Sequence, residues 1–251
     1  MRPLFLIAAA AVLVVPSGSA QTISTDRPDF GVGTSVLPRG TLQFESGVRR
    51  ARTDGLNADQ VLESLVRFGL AEPVELRFSW AGLQRQDLPG DRSASGAGDI
   101  AVGAKLALGE GRGLLPETSV VAAMSLPSGE APFTAGETVP DLRAALAWSL
   151  GERLGLTVNL GALWNPSPTG RERIEFYSGT LSRASYAGHA VFLEAFGLML
   201  SGDVDDAHHI GVGYLYLLQD TIQLDVYIGT GIGQTAPDGY VGAGIALRLP
   251  R

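Results

Sequence analysis

The chain has 251 residues and a formal charge of −7, with 45% hydrophobic residues, only 18% charged residues and no cysteine. Its 26 acids against 19 bases are too acidic for a general nucleic-acid binder, and the missing thiols remove disulfides, cysteine catalysis and a lipoprotein anchor. Positive mean hydropathy, +0.16, together with 33 glycines argues against an ordinary soluble globule, where glycine runs at about 7% and charge is denser.

Residues 1–20 read as a secretory signal peptide: Arg2, an apolar run from Leu4 to Val15, and the small ending Gly18-Ser19-Ala20, with cleavage expected after Ala20. No later uncharged apolar run reaches the ~18 residues of a membrane helix, which leaves strands as the spanning element. Residues 21–40, with Thr25-Asp26-Arg27-Pro28-Asp29-Phe30, are irregular and polar and read as a periplasmic lead-in. Residues 41–251 then carry twelve candidate strands near 41–50, 61–70, 74–81, 98–108, 117–126, 141–150, 154–164, 174–183, 189–198, 207–217, 221–229 and 239–249. The expectation is all-β: a twelve-stranded antiparallel transmembrane barrel with short periplasmic turns and longer extracellular loops.

Period-two alternation supports this throughout. Leu42, Phe44 and Val48 oppose Gln43, Glu45 and Arg49 in the first strand; Val74, Leu76, Phe78 and Trp80 oppose Glu75, Arg77 and Ser79 in the third. The last two, Ile222 to Gly229 and Val241 to Leu249, alternate most strictly, and their apolar phase would meet lipid. Connections alternate as well. Residues 51–60, 82–97, 127–140, 165–173, 199–206 and 230–238 are long, whereas 71–73, 151–153 and 218–220 are short, with turns of middling length at 109–116 and 184–188. Trp80, Trp148 and Trp164 all fall on the apolar phase near strand ends, where amphipathic rings settle at a membrane interface.

These residues also carry a resemblance. Thr25 to Phe30, Pro38-Arg39-Gly40, Leu42 to Gly47, Ser79-Trp80-Ala81-Gly82, Gly98-Asp99-Ile100, Gly103-Ala104-Lys105, Ser125 to Gly129, and Leu224-Asp225 ahead of Ala236-Pro237-Asp238 resemble, in that order, the Gram-negative family labelled Putative MetA-pathway of phenol degradation. The resemblance spans nearly the whole chain after the signal. It implies an outer-membrane β-barrel of transporter-like character. The ending Leu249-Pro250-Arg251 departs from the aromatic last residue of many outer-membrane barrels.

The inward phase offers Glu45, Arg49, Glu63, Arg67, Glu75, Arg77, Asp99, Lys105, Asp141, Arg143, Glu194, Asp225 and Arg248. Seven acids against six bases suggest cross-strand ion pairs forming a lumen constriction, since pairing offsets the cost of desolvation. Asp203, Asp205, Asp206, His208 and His209 cluster near one loop, but their spacing matches no closed metal site, so no metal or other cofactor is expected. Three histidines without a nucleophile motif argue against an enzyme, so no catalytic residues are assigned. Gly229-Thr230-Gly231-Ile232-Gly233 lies between strands with no helix after it, which removes it as a dinucleotide loop. The leading expectation is a narrow passive channel in the Gram-negative outer membrane for small, apolar or aromatic solutes. Its expected partners are membrane lipid, a small-molecule solute and the barrel assembly machinery. The alternative is a structural or interaction barrel with a closed, ion-paired lumen. A soluble periplasmic sandwich would need a hydrophilic outer face, which the apolar phases deny.

Overall fold

The computed structural model describes residues 22–199, 206–233 and 236–249; the expected signal peptide and the Leu249-Pro250-Arg251 ending lie wholly or partly outside them. Fourteen strands follow in order: β1 Leu42–Thr53, β2 Leu56–Ala71, β3 Val74–Trp80, β4 Leu83–Leu88, β5 Arg92–Ala97, β6 Ile100–Gly109, β7 Glu117–Leu126, β8 Val139–Ser149, β9 Leu154–Ser167, β10 Gly170–Ala184, β11 His189–Met199, β12 Ala207–Gln219, β13 Ile222–Ile232 and β14 Gly239–Leu249. Twelve of them close an antiparallel barrel, each bonded to its neighbour, with β1 paired to both β2 and β14. All twelve expected strands are among them. No helix occurs among the described residues.

The extra pair, β4 and β5, lies in the stretch 82–97 expected to be loop. It continues the β3–β6 hairpin past a break, where Ala81 N donates to Asp99 O at 2.9 Å and Gly98 N donates to Gly82 O at 2.8 Å. Beyond the break β4 resumes pairing with β2 and with β5. Two other long loops shrink in the same way. Residues 51–60 are strand up to a turn at Asp54-Gly55, both at positive φ (49° and 80°), and β9 and β10 leave only Pro168-Thr169 between them. Polar residues filled these hairpin tips because they stand clear of hydrocarbon, so the alternation that marks a lipid-facing strand is missing there.

Alternation sorts the wall into two faces. Gln43 and Glu45 are fully buried between Leu42 and Phe44, which are more than a third exposed. A bulge at Leu62, with φ of 61°, puts one extra residue into β2, so Val61 faces out beside Val48 while Glu63 faces in beside Gly47. Across β10 to β14, Leu181, Leu193, Val212, Ile228 and Val241 stand side by side by register, and all are exposed. Water would meet an apolar band far larger than the few hundred Å² a soluble monomer shows; hydrocarbon removes that penalty. An apolar groove of about 700 Å³ over β10–β13, lined by Leu181, Leu193 and Val226, belongs to this outer face rather than to the lumen.

Sidedness is open to test. A cysteine at Ser95, exposed in β5, should react in intact cells with a reagent that cannot cross the membrane, and one at Glu152, exposed in a short turn, should not. Labelling of both, or of Glu152 alone, would reverse the orientation.

Candidate functional site

The lumen is occupied. The segment expected to be a periplasmic lead-in instead enters at the short-turn mouth, where Ile23 N donates to Asp220 O at 2.8 Å, and turns back inside the barrel near Phe30. It returns past Glu75 to the same mouth, where Gly40 N donates to Gly69 O at 2.7 Å. Having no sheet partner, this strap needs acceptors for its amides, and inward side chains supply them. Glu45 accepts from Asp26 N and Arg27 N, each at 3.0 Å. Glu194 accepts from Phe30 N at 3.0 Å and Gly31 N at 3.3 Å; Asn159 Oδ1 accepts from Val32 N at 3.1 Å, and Glu75 from Leu37 N at 3.0 Å.

Charge is matched in the same way. Asp26 takes Arg77 Nη1 at 2.6 Å and Lys105 Nζ at 3.1 Å, and it accepts from Gly33 N at 2.9 Å. Burial alone would raise its carboxyl, but Arg67, Lys105 and Arg77 outweigh that and hold it well below the usual carboxylate range. Asp29 goes the other way, pushed up by burial and then by the neighbouring Glu194. Arg67, fully buried, bridges Glu75 at 2.9 Å and Glu45 at 3.1 Å and donates to Ser24 O and Ser35 O. At the strap's apex, the Phe30 ring stacks on Phe196 with centroids 4.5 Å apart, Arg143 lies over Phe30 and Phe176, and Phe196 stacks in turn on His209 at 4.3 Å.

Space remains on both sides of this apex. A cavity of about 500 Å³ runs along small wall residues, Ser79, Ala101, Gly103, Ala123 and Ser125, with Arg77, Arg143, Asp99 and Asp141 among its polar lining. A second, of about 260 Å³, is aromatic: Phe192, Phe196, Tyr227, Tyr240 and His209 line it with Arg49, Gln60 and Glu194. Pro28, Asp29, Phe30, Glu63 and Tyr227 border both. Below the apex Leu37, Gln43, Glu45, Arg67, Glu75 and Lys105 are fully buried, so the strap half of the lumen is packed.

The chain matches the family described as Putative MetA-pathway of phenol degradation over residues 25–249, a span that begins with the strap and ends with β14. The protein belongs to this family. Among solved structures it is similar to the COG4313 outer membrane channel from Pseudomonas putida F1, at 16% identity and TM-score 0.67, covering 86% of this chain and 98% of that one. It is also similar to the NanC porin, at 10% identity and TM-score 0.56, covering 83% and 100%, and to the CymD monoaromatic hydrocarbon channel, at 9% and 0.50, covering 86% and 89%. At these identities the likeness speaks for the fold, an outer-membrane β-barrel of porin-like form. No curated protein matches the chain at a significant level.

In this family member the charges of the expected inner set other than Asp99 lie on the inward phase of their strands, yet few of them form the cross-strand pairs expected. Arg67 does, with Glu45 and Glu75; Arg77–Glu75 and Arg143–Asp141 lie within single strands. Lys105, Glu63 and Asp225 pair instead with the strap. Asp99 leaves the set: its carboxylate accepts from Gly129 N at 2.8 Å and Ala135 N at 3.0 Å, folding the loop 127–138 back over the hairpin. Arg248 donates to Gln43 Oε1 at 2.9 Å and to Thr22 O, joining β14 to β1 and the strap. Trp80, Trp148 and Trp164 face outward by register, two toward the long-loop end and Trp148 toward the other; Trp80 and Trp148 bond carbonyls of Gly98 and Leu114. Of the acidic loop, Asp203 and Asp205 lie outside the described residues, and among the described ones no group of metal-ligating side chains assembles. The residues missed are those of the strap: Asp26, Arg27, Asp29 and Phe30. Three charges within four positions, in a chain only 18% charged, were the signal.

Proposed function

We propose that the protein is a narrow passive channel of the Gram-negative outer membrane for small, weakly charged solutes, apolar or aromatic ones included. The observation that carries this reading is the pair of cavities, about 500 and 260 Å³, left open beside the strap above the packed half of the lumen. Filled space would serve a purely structural barrel as well; lined space of solute size does not follow from stability. The aromatic chamber offers ring faces for stacking, and the other offers small residues and paired charges that pass little net charge. Flow to the periplasm then requires the strap to shift, because Arg67, Lys105 and Glu45 leave no route beneath it. Membrane lipid, the barrel assembly machinery and export through a cleaved signal peptide belong to this reading.

The fully buried ionic half of the lumen favours a second reading, a closed structural or interaction barrel. Solute uptake in strains with and without the protein, beside planar-bilayer recordings of the parent and of a variant lacking residues 22–40, decides between them. A channel gives small parental conductance and a much larger one without the strap. Silence from both, with unchanged uptake, leaves the structural barrel. No chemistry is assigned: His189 bonds the Tyr214 hydroxyl and His208 the Tyr177 hydroxyl on the outer face, and His209 stacks inside on Phe196.

A further inference from the structure

Eleven of the twelve contacts that close this barrel join strands that follow one another along the chain, so their connection limits how far one can slide on the other. The twelfth, β1 on β14, has no such connection. Its eleven pairs run from Leu42 opposite Leu249 to Arg52 opposite Gly239, yet its side chains specify that register poorly. Outside, Phe44, Ser46 and Val48 meet Leu247, Ile245 and Ala243, and a slip of two residues would exchange one aliphatic contact for another. Inside, the seam is glycine-rich, with Gly47 opposite Gly244 and Arg49 opposite Gly242. Two inward side-chain contacts read position there, the Gln43–Arg248 hydrogen bond at one end and, at the other, Tyr240 packed on Ala51 with the Arg49 guanidinium 5.2 Å from its ring centroid.

Arg27 of the strap sits at this point. Gly47 and Gly244 form a bare floor across the seam, and a Cβ at either position would collide with the Arg27 guanidinium. From that slot Arg27 Nη2 reaches Asp225 Oδ1 on β13 at 3.3 Å and Ala243 O on β14 at 3.4 Å, its Nη1 lies 3.7 Å from Glu63 on β2, and its own N–H donates to Glu45 on β1. One residue therefore touches both first and both last strands. The strap around it does likewise: Thr22 O accepts from Arg248, Ser24 O from Gln43, and Thr25 Oγ1 from Gln223.

We propose that the strap takes the place of the missing turn at the seam, with Arg27 as the key that sets the register of β1 on β14. The planar guanidinium fits where two glycines face each other beside Asp225. A two-residue slip sets Gly47 opposite Ala246, whose methyl blocks the slot, or opposite Gly242, where the Tyr227 ring already lies. Arg27 is a positioning residue, and this role holds whether or not the lumen conducts.

The chain has no cysteine, so disulfide trapping reads the register directly. In the full-length protein folded into vesicles, Ser46→Cys with Ile245→Cys reports the native register, because these residues are opposite and face outward. Ser46→Cys with Ala243→Cys or with Leu247→Cys reports the two slips, each displaced by roughly 7 Å, too far for a disulfide in the native barrel. The parent background should cross-link the native pair. Arg27→Ala should lower that product severalfold and raise a slipped one, with Arg27→Lys between them, since an ammonium keeps the charge but not the plane. Gly244→Ala fills the slot while keeping every strap charge and should give the same slipped product. Parental cross-linking in both Arg27→Ala and Gly244→Ala overturns the proposal. If Arg27→Ala yields no folded barrel, Gly244→Ala decides alone: a slipped product supports the key, and the parental pattern overturns it.

Discussion

Arginine in place of Val226 should cost about 2–4 kcal/mol of folding stability in lipid vesicles, the range for a cation on the lipid face near the bilayer midplane. Val226 lies in the middle of β13, faces outward between Tyr214 and Ala243, and is half exposed, so nothing in the protein is available to accept the new charge. Its neighbour Asp225 points the opposite way and is already ionic with Arg27. The period of two thus makes adjacent positions of one strand respond oppositely to a charge. Urea titration in vesicles, followed by tryptophan fluorescence and gel mobility, measures the loss. A midpoint equal to the parent's would mean that this face does not meet hydrocarbon. An intermediate loss would place Val226 nearer the interface.

Alanine at Arg67 should be costlier, about 3–5 kcal/mol, because it breaks a buried ion network from one side. Arg67 is fully buried and spans Glu45, Glu75 and the carbonyls of Ser24 and Ser35; Asp26 lies within 3.9 Å. Its removal leaves three carboxylates with Lys105 and Arg77 as the nearby cations, and it takes one donor from each of two strap carbonyls, Ser24 O keeping Gln43 Nε2 at 2.9 Å and Ser35 O keeping Lys105 Nζ at 3.4 Å. The strap should loosen before the barrel does, because barrel ladders are unaffected while the strap hangs on side chains. Limited proteolysis near Arg27 or Arg39, beside equilibrium unfolding, separates the two events. Unchanged protection and an unchanged midpoint would show that the network is not what holds the strap. Methionine at Arg67 together with Gln at Glu45 and Glu75 should recover part of the loss, since removing both partners avoids the stranded charges.

Strand count and strand facing were legible in the residues because both depend on local pattern. In a barrel wall each residue meets either lipid or lumen, and the two environments demand different chemistry at every second position. Leu224, Val226 and Ile228 against Gln223, Asp225 and Tyr227 therefore read unambiguously, and in the structure the first three are exposed while Gln223 and Asp225 are buried. Hairpin tips were read less well. At Arg52 and Thr53, and across Leu83 to Leu88, strand continues into the hairpin tips beyond the packed wall, and the alternation disappears while the hydrogen-bonded ladder goes on. Side-chain pattern cannot report a ladder made by backbone.

The lumen shows where the residues by themselves stop. They determined that the chain is a twelve-stranded barrel, which face of each strand looks inward, and that the inward face carries a nearly balanced set of charges. Which charge meets which was decided only by tertiary structure, because the partner of Lys105 is Asp26, 79 positions away, and that of Asp225 is Arg27, 198 positions away. Asp26-Arg27-Pro28-Asp29-Phe30 has no period to betray its location, and a polar irregular segment looks the same in water as inside a polar lumen. Closure of the barrel creates the one environment in which those charges are matched and those bare amides find acceptors, and closure is a property of β1 meeting β14, which no local stretch contains.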